Sequence, residues 1–443
     1  MNSKKTPYSL LFEEANQIYS EALRAVSPEK LIADGIEMKG NILAIKGKNF
    51  DLSLYKNIYV IAFGKSAPYM AKSLFKIIGQ SINKSIVLSL PKISVSLPDA
   101  TVIPASHPVP DKGSLEAAKR ILMLVQNAGK EDLVIHLISG GGSAQLCFPS
   151  GGISLEDKVG VTDKLLKAGA SIYEMNVVRK HISRIKGGRL AQAAFPATVM
   201  NIIISDVVGN DLGTIASGPV HWDLSTHRDA FKVLEKYCLW DKISESVRKV
   251  IDKGIKGEFI ETLKKDSFLF KNIHNFIIGD NRLALNKASR KAEELGFKTV
   301  ILTTSEQKEA RDSARYYSAL LGDILLSGKT FPQPLCLLGG GELTVTVKGK
   351  GKGGRNQEFV LACLAELQNE IKEQPGWLIL SLGTDGIDGN TDAAGAWIDC
   401  FCWKKSKRLL LDPHEFLYNN DSYHFFEQTG HLIKTGLTHT NVM

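Results

Sequence analysis

The chain has 443 residues, which predicts two or three domains, and its apolar (44%) and charged (23%) fractions are ordinary for a protein with a large buried core. This composition excludes a disordered chain, a collagen-like repeat and a disulfide scaffold. The formal net charge of +8 is a mild excess for this length, and it fits an anionic small-molecule ligand as well as nucleic acid.

Apolar runs that end in glycine-containing turns recur along the chain and predict strands alternating with helices. The strands are expected at 57–63, 132–138, 201–204, 276–278, 299–303, 335–338 and 377–382. Their continuous apolar character is typical of sheets covered on both faces. Helices are expected at 115–125, 285–295 and 357–367, the last of them apolar on all sides and therefore buried. The pattern predicts an α/β protein.

The domain boundary is expected near residue 255, within some tens of residues, giving domains at 1–255 and 256–443. No run of about 18 apolar residues predicts a transmembrane helix. The start of the chain lacks the apolar core of a signal peptide. The six cysteines are scattered and form no CxxC pair, so we expect reduced thiols in a cytoplasmic protein rather than disulfides or a structural zinc site.

The sequence Ser-Gly-Gly-Gly-Ser directly follows the predicted strand at 132–138. Glycines let backbone N–H groups approach an anion closely, and a following helix adds the positive end of its dipole. The candidate phosphate- or carboxylate-binding residues are Ser139, Gly140, Gly141, Gly142 and Ser143. The alternative interpretation is a tight strand-to-helix turn without a ligand.

Cationic residues lie near two of the glycine turns. Lys65 follows the strand at 57–63, where a buried ammonium group needs an anionic partner such as a phosphate oxygen. A lysine at the rim of a helix is the alternative. Arg179, Arg184 and Lys186 are predicted to share one helical face, and a solvated basic helix is the default interpretation.

Polar residues also follow other predicted strands. Asp206 and Asp385 lie at strand ends, where carboxylates can hold Mg²⁺ or accept a hydroxyl proton. Turns rich in aspartate, glycine and asparagine are also common in loops without a ligand. Asn281 and Glu342 are further candidates for binding substrate or nucleotide.

Two well-known phosphate-binding motifs are absent from the sequence. Gly64-Lys65-Ser66 has Tyr59 where a Walker A loop requires glycine, and the alternating glycines at 349–354 lack the strand–turn–helix context of a dinucleotide fingerprint. The glycine turns, Lys65 and the strand-end aspartates together favour phosphoryl transfer, which depends on positioning and charge neutralisation.

A series of long sequence blocks carries a resemblance to a known family. The blocks are GKSAPYM (64–70), SHPVPDKGS (106–114), LISGGGSAQL (137–146), EMNVVRKHISRIKGGRLA (174–191), ISDVVGNDLGTIASGPV (204–220), GGGELTVTVKGKGKGGRNQEFVL (339–361) and GTDGIDGNTDAAGAWID (383–399). In this order the chain resembles the class II glycerate kinases, the DUF4147/MOFRL group.

The resemblance implies an enzyme that transfers a phosphoryl group from ATP to D-glycerate with Mg²⁺, mostly giving 2-phosphoglycerate. It implies a Rossmann-like first domain, a smaller α/β second domain and an active site in the cleft between them. It also implies that Lys65 and Arg355 neutralise phosphate charge and that Asp385 orients or deprotonates the glycerate hydroxyl or lies near the metal. The glycine turn at 139–143 and Asp206 would line the cleft.

The last residues depart from the family pattern. The family usually ends in TGPTGTNVMDL, whereas this sequence reads TGLTHTNVM, so that Leu437 replaces proline, His439 replaces glycine and the tail is shorter. Histidine adopts unusual backbone angles less readily than glycine. A changed loop geometry, with an effect on activity or substrate preference, is the expected consequence.

Two other functions stay open at this point. One is an NAD(P)-dependent oxidoreductase of the hydroxypyruvate reductase type, which the missing dinucleotide fingerprint disfavours. The other is a non-catalytic sugar-acid-binding protein, which the presence of Lys65, Arg355 and Asp385 disfavours. We expect small-molecule partners and a homodimer, and neither nucleic acid nor a membrane as a partner.

Overall fold

The computed structural model describes residues 7–91, 93, 95–98, 100–327 and 332–442. The chain forms two compact units. One is Pro28–Gly279, and the other joins the segment up to Ser27 with the residues from Asp280 onward. The first helix, α1 (Pro7–Ala25), belongs to the second of these units. The assignment of two domains that meet near residue 255 stays a prediction.

Strands and helices alternate through the unit Pro28–Gly279. In chain order they are α2 (Pro28–Gly35), β1 (Ile36–Lys39), β2 (Ile42–Ile45), β3 (Lys48–Asp51), β4 (Asn57–Phe63), α3 (Ala67–Ile78), β5 (Lys84–Ser89), β6 (Thr101–Pro104), α4 (Lys112–Gln126), β7 (Asp132–Ile138), α5 (Gly142–Gln145), α6 (Leu155–Lys167), α7 (Ile172–His181), α8 (Arg189–Ala194), β8 (Thr198–Ile204), α9 (His227–Lys236), α10 (Glu245–Ile255) and β9 (Ile273–Gly279).

The central sheet of this unit is parallel, with the strand order β6-β5-β4-β7-β8-β9. Numbered from its first strand, this is the 3-2-1-4-5-6 order of the Rossmann fold, so the predicted Rossmann-like architecture is confirmed. The direction of chain progression reverses between β4 and β7. Open α/β sheets bind their ligands in the crevice at the carboxyl ends of such neighbours.

The strands β4 and β7 form the middle of this sheet, and the sequence predicted the limits of both. They pair from Asn57 opposite Asp132 to Phe63 opposite Ile138, so the turns that follow them begin at the same level. Every residue of β7 is buried, as its continuous apolar run predicts. A smaller antiparallel sheet, β1-β2-β3, was not predicted from the sequence.

The second unit also mixes strands and helices. After α1 it contains α11 (Asn281–Glu294), β10 (Lys298–Glu306), α12 (Ala310–Ser327), β11 (Leu335–Gly341), α13 (Arg355–Glu366), α14 (Asn369–Glu373), β12 (Ile379–Leu382), β13 (Gly395–Ile398), α15 (Cys400–Arg408), α16 (Pro413–Tyr418), α17 (Ser422–Thr429) and β14 (Leu432–Ile433). The strands β10 and β11 are parallel, and β12-β13-β14 is antiparallel. Helix α13 is buried from Asn356 to Leu364, which confirms the predicted buried helix.

The prediction of one solvated basic helix around Arg179 and Lys186 is wrong. Helix α7 ends at His181, and Gly187 and Gly188 adopt left-handed backbone angles (φ 60° and 81°) that a continuous helix does not contain. Arg184 and Lys186 therefore lie beyond the helix, and Lys186 is 1% exposed.

Two further properties concern the described part of the chain as a whole. The six cysteines are free thiols. Over the residues that the structure describes, no helix is both long enough and apolar enough to cross a membrane.

Candidate active site

Hydrogen bonds join the turn after β4 to the turn after β7. The Lys65 N–H donates to the Gly140 carbonyl oxygen (2.8 Å), and the Ser66 N–H donates to the Ser139 hydroxyl (3.0 Å). Both turns lie at the carboxyl ends of the strands where the Rossmann order reverses. The sequence-predicted residues Lys65, Ser139 and Gly140 therefore lie next to one another at the switch point, with Ser139 buried.

Gly64 makes this close approach of the two turns possible. Its φ is +112°, and a Cβ at this position would lie 2.7 Å from the Ser139 carbonyl carbon. Its N–H donates to the buried Gln145 side-chain oxygen (2.7 Å), which holds the start of the turn against α5. A side chain at Gly64 would push the two turns apart.

Two side chains that can carry a positive charge pack over Gly141. Its φ is +83°, and a Cβ here would lie 3.0 Å from Cδ2 of His107 and 3.2 Å from Cγ of Lys65. Lys65 and His107 therefore both pack over the glycine turn. His107 was not among the predicted site residues, although its sequence block SHPVPDKGS was recognised.

Contacts within the protein hold the end of the glycine turn, and the prediction that it binds an anion stays a prediction. The helix that follows it, α5, has four residues, so its dipole contributes little. The Ser143 hydroxyl bonds the Ser217 hydroxyl (2.7 Å) and accepts from Lys186 Nζ (3.1 Å). Lys186 Nζ also donates to the carbonyl oxygens of Ser143 (2.8 Å) and Ala216 (3.1 Å). Ser143 is thus held by protein partners.

Two lysines near this turn are buried, Lys158 and Lys186, and Lys158 was not among the residues singled out from the sequence. Lys158 is 4% exposed, and its Nζ has no hydrogen-bond partner within the described ranges. Burial lowers the pKa of Lys158, and burial together with nearby Lys158 lowers that of Lys186 well below its ordinary value. Burial also lowers the pKa of Arg179. Burial thus disfavours the charged forms of these basic groups, and a bound anion would offset that cost.

The predicted residue Asp206 follows β8, the next strand in the sheet after β7. The carboxyl ends of β7 and β8 lie at the same edge, so Asp206 belongs to the same edge as Ser139. Asp206 is partly exposed. Its placement fits a residue at the rim of a ligand crevice.

In the second unit, the end of β11 gathers two predicted residues. Asn281, the first residue of α11, packs its side-chain amide against Gly340 and donates to the Thr304 carbonyl oxygen (3.0 Å). Glu342 follows β11 and forms an ion pair with Arg355 (Oε1 to Nη1, 2.6 Å). Arg355 is about one-third exposed and begins α13, so its guanidinium group is fixed by both a helix and a carboxylate.

Asp388 fixes the start of α13 and was not among the predicted site residues. It is 1% exposed. Its carboxylate accepts four hydrogen bonds, from the backbone and side-chain N–H groups of Asn356 and Gln357 at 2.8–3.0 Å. Burial raises the pKa of Asp388, and the four hydrogen bonds oppose that rise. Asp388 therefore positions the helix that begins with Arg355.

The predicted residue Asp385 lies in a loop that contacts the C-terminal segment. Its Oδ1 accepts the Ile387 N–H (3.2 Å), and its carbonyl oxygen accepts the Thr438 N–H (3.3 Å). The backbone at His439 has φ +60°, the left-handed conformation that glycine adopts at lower cost. The departure from the family pattern thus lies beside the Asp385 loop.

The chain matches two families along most of its length. Residues 14–252 match the family described as a domain of unknown function, DUF4147, and residues 335–443 match the MOFRL family. A glycerate 2-kinase of Pyrococcus horikoshii is 40% identical over 96% of this chain and 94% of that protein. A D-glycerate 2-kinase of Thermotoga maritima is 37% identical over 97% and 95%.

A solved structure is also similar. The crystal structure of a glycerate kinase from Thermotoga maritima has a TM-score of 0.84 and 37% sequence identity, and the match covers 98% of each chain.

Proposed function

The chain belongs to the class II glycerate kinases, the DUF4147/MOFRL family, and we propose on that premise that it transfers a phosphoryl group from ATP to D-glycerate with Mg²⁺. It is a phosphotransferase, since relatives that match it over nearly its whole length are named glycerate kinases. The two relatives named as 2-kinases support 2-phosphoglycerate as the product.

The observation that carries this proposal is the joined pair of turns at the switch point of the parallel sheet. There Lys65 packs over Gly141, and the backbone of the two turns is held together by hydrogen bonds. Phosphoryl transfer needs positive charge close to the transferring oxygens more than it needs covalent chemistry. We assign that role to Lys65 and Arg355.

The residues present fit a nucleotide that arrives with Mg²⁺. Magnesium in such enzymes is held by one or two carboxylates together with the substrate's phosphates, and Asp385 offers oxygen donors of that kind. When bound, Mg²⁺ would neutralise charge on the phosphate oxygens. The assignment of Asp385 as its protein ligand is part of the proposal.

Asp385 is also proposed to orient the glycerate hydroxyl group. Its Oδ1 is held by the Ile387 N–H (3.2 Å), which fixes the carboxylate within its loop. A fixed carboxylate can accept a hydrogen bond from the attacking hydroxyl and then its proton. Ser139, the glycines that follow it and Asp206 are proposed to bind substrate or nucleotide, as are Asn281 and Glu342.

The test is to incubate the purified protein with D-glycerate, ATP and Mg²⁺ and to couple the product separately to enolase and to phosphoglycerate kinase. Signal through enolase alone is expected, because only 2-phosphoglycerate is its substrate. Signal through phosphoglycerate kinase alone would show that the product is 3-phosphoglycerate. Oxidation or reduction of NAD(P) without ATP consumption would replace the kinase by a reductase, and glycerate binding without turnover would indicate a binding protein.

A variant series tests the assignment of Lys65. Replacing Lys65 by methionine is expected to lower turnover by about 10²–10³-fold, the usual effect of removing one well-placed charge stabiliser. Lys72→Met is the matched control, because Lys72 is an exposed lysine on the following helix α3. Wild-type turnover in Lys65→Met would refute the role assigned to Lys65.

A further inference from the structure

Two histidines and a glutamate meet at a place that the proposed phosphoryl transfer does not use. His181 ends α7, His227 begins α9, and Glu261 lies in the segment after α10. Glu261 Oε2 is 3.2 Å from Nε2 of His181, and Glu261 Oε1 is 3.0 Å from Nδ1 of His227. Both imidazole rings are fully buried, and the Glu261 side chain is 35% exposed. The three residues each offer a ligand atom within 4.8 Å of the others.

The hydrogen bonding of His181 requires a cation in this cluster. Its Nδ1 is 2.7 Å from the Val177 carbonyl oxygen, which can only accept, so Nδ1 carries the hydrogen. In the neutral ring, Nε2 then directs a lone pair at the Glu261 carboxylate. Two facing acceptors repel each other unless a proton or a metal ion lies between them.

His227 supplies a second, independent indication of a ligand. Both of its ring nitrogens are buried, and neither has a hydrogen-bond partner in the described part of the chain. Its Nδ1 is close to Glu261, but the two groups are not oriented as a hydrogen-bonded pair. Gly254 leaves the space for this ring, because a Cβ at Gly254 would overlap the imidazole. Buried polar atoms without partners are rare and point to something bound.

Two of the spacings between the ligand atoms are compatible with a metal centre. Zinc bonds to histidine nitrogen and carboxylate oxygen of about 2.0–2.2 Å place neighbouring ligand atoms about 3.3 Å apart. The two nitrogen–oxygen distances, 3.2 and 3.0 Å, are close to that value, with each histidine facing a different oxygen of the Glu261 carboxylate. All the ligand atoms lie within 4.8 Å of one another. We propose that His181, His227 and Glu261 bind one divalent transition-metal ion, with Zn²⁺ as the preferred ion and water as the remaining ligand.

The surroundings give such an ion a structural role. It would fasten α7 and α9 to the segment after α10, in which the Leu263 N–H donates to the Gly187 carbonyl oxygen (3.0 Å). Gly187 directly follows Lys186, the buried lysine that holds Ser143. Lys264 Nζ also faces the Glu261 carboxylate, 3.5 Å from Oε2.

The direct test is metal titration of the full chain after treatment with a chelator. One equivalent of Co²⁺ is expected to bind and to give the visible absorption of a tetrahedral site without a thiolate charge-transfer band, and Zn²⁺ is expected to displace it. Absence of stoichiometric binding would overturn the proposal and leave a proton between His181 and Glu261. A thiolate band would place the metal on cysteine and would also overturn it.

Variants locate the metal without relying on activity. Glu261→Gln keeps the size of the side chain and is expected to weaken Zn²⁺ affinity by about 100-fold or more, as loss of a direct ligand should exceed the effect of an outer-shell change. His414→Asn, at an exposed histidine on α16, is the control and should bind as the wild type does. Zn²⁺ should raise the Tm of the wild type and of the control but not of Glu261→Gln. Equal affinity or an equal rise in Tm in Glu261→Gln would contradict the proposal.

Discussion

Acid should destabilise the Rossmann-like unit through one buried histidine. His136 is in the middle of β7 and is fully buried. Its Nδ1 donates to Asn201 Oδ1 on β8 (2.8 Å), because an amide oxygen only accepts, and Asn201 in turn donates to Asn275 on β9 (2.9 Å). Its Nε2 has no partner in the described ranges. Burial lowers the pKa of His136 from 6.5 to about 4, against the opposite effect of the Asn201 bond.

The size of the effect follows from proton linkage. A histidine whose pKa is lower in the folded state stabilises the fold above its unfolded pKa, and that stability is lost as pH falls toward the folded value. The full shift from 6.5 to about 4 corresponds to about 3 kcal/mol. Between pH 7 and pH 5 the His136 contribution to the free energy of unfolding should fall by about 2 kcal/mol.

The assay compares the wild type with His136→Gln in denaturant titrations at pH 7 and pH 5. The stability difference between the two proteins should change by about 2 kcal/mol in favour of the variant at the lower pH. His414→Asn, which removes an exposed histidine, should show no such change. An NMR titration that gives His136 a pKa at or above 6.5 would refute the reasoning.

Three further changes have defined outcomes. Hydrogen bonds from Lys236, Ser171 and Tyr237 hold the pKa of Glu174 at about 2, so its contribution to stability is complete above about pH 4.5 and is lost toward pH 2. In Glu174→Gln, the loss of unfolding free energy between pH 4.5 and pH 2 should be smaller than in the wild type by about 1 kcal/mol, as measured by denaturant titration. His439→Gly should raise stability by about 1 kcal/mol in thermal unfolding, because φ is +60° at this position; no gain would contradict strain there. Gly64→Ala should cost about 2–5 kcal/mol in denaturant titration, since it adds a clash to an unfavourable φ, and a neutral effect would contradict the close contact with the turn after β7.

The sequence predicts the central strands well and the small sheet not at all. The limits of β4 and β7 were found because each is an unbroken apolar run that ends in a glycine or serine turn. The strands β1–β3 are four residues long and half-exposed, with lysine, glutamate and asparagine among their residues. Their pairing depends on packing that leaves no clear pattern in the sequence.

Part of the candidate site was predictable for a topological reason. The carboxyl ends of parallel neighbours meet at one edge, so residues that follow two such strands, as Lys65 and Ser139 do, can approach each other. Lys158 was not predictable, because nothing local distinguishes a lysine on an amphipathic helix that becomes buried. Its burial arises from the packing of α6 against other elements of the unit.

Asp385 and Asp388 also show that burial cannot be predicted from residue type, and their different surroundings predict different effects of substitution. Both lie in one Asp- and Gly-rich loop, yet Asp388 is 1% exposed and accepts four hydrogen bonds at the start of α13, whereas Asp385 is partly exposed. The Asp388 side chain is directed by its hydrogen bonds to α13, whereas the Asp385 carboxylate accepts the Ile387 N–H of its own loop, and the residue types in the loop do not reveal this difference.

Asp388→Ala should therefore lower the free energy of unfolding by about 3–5 kcal/mol, because it leaves buried donors unpaired. Asp385→Asn should lower glycerate turnover with little change in stability. Denaturant titration and the enolase-coupled assay on both variants check this division. A stable Asp388→Ala with full turnover would show that the four hydrogen bonds do not position Arg355, and an Asp385→Asn with full turnover would remove Asp385 from the reaction.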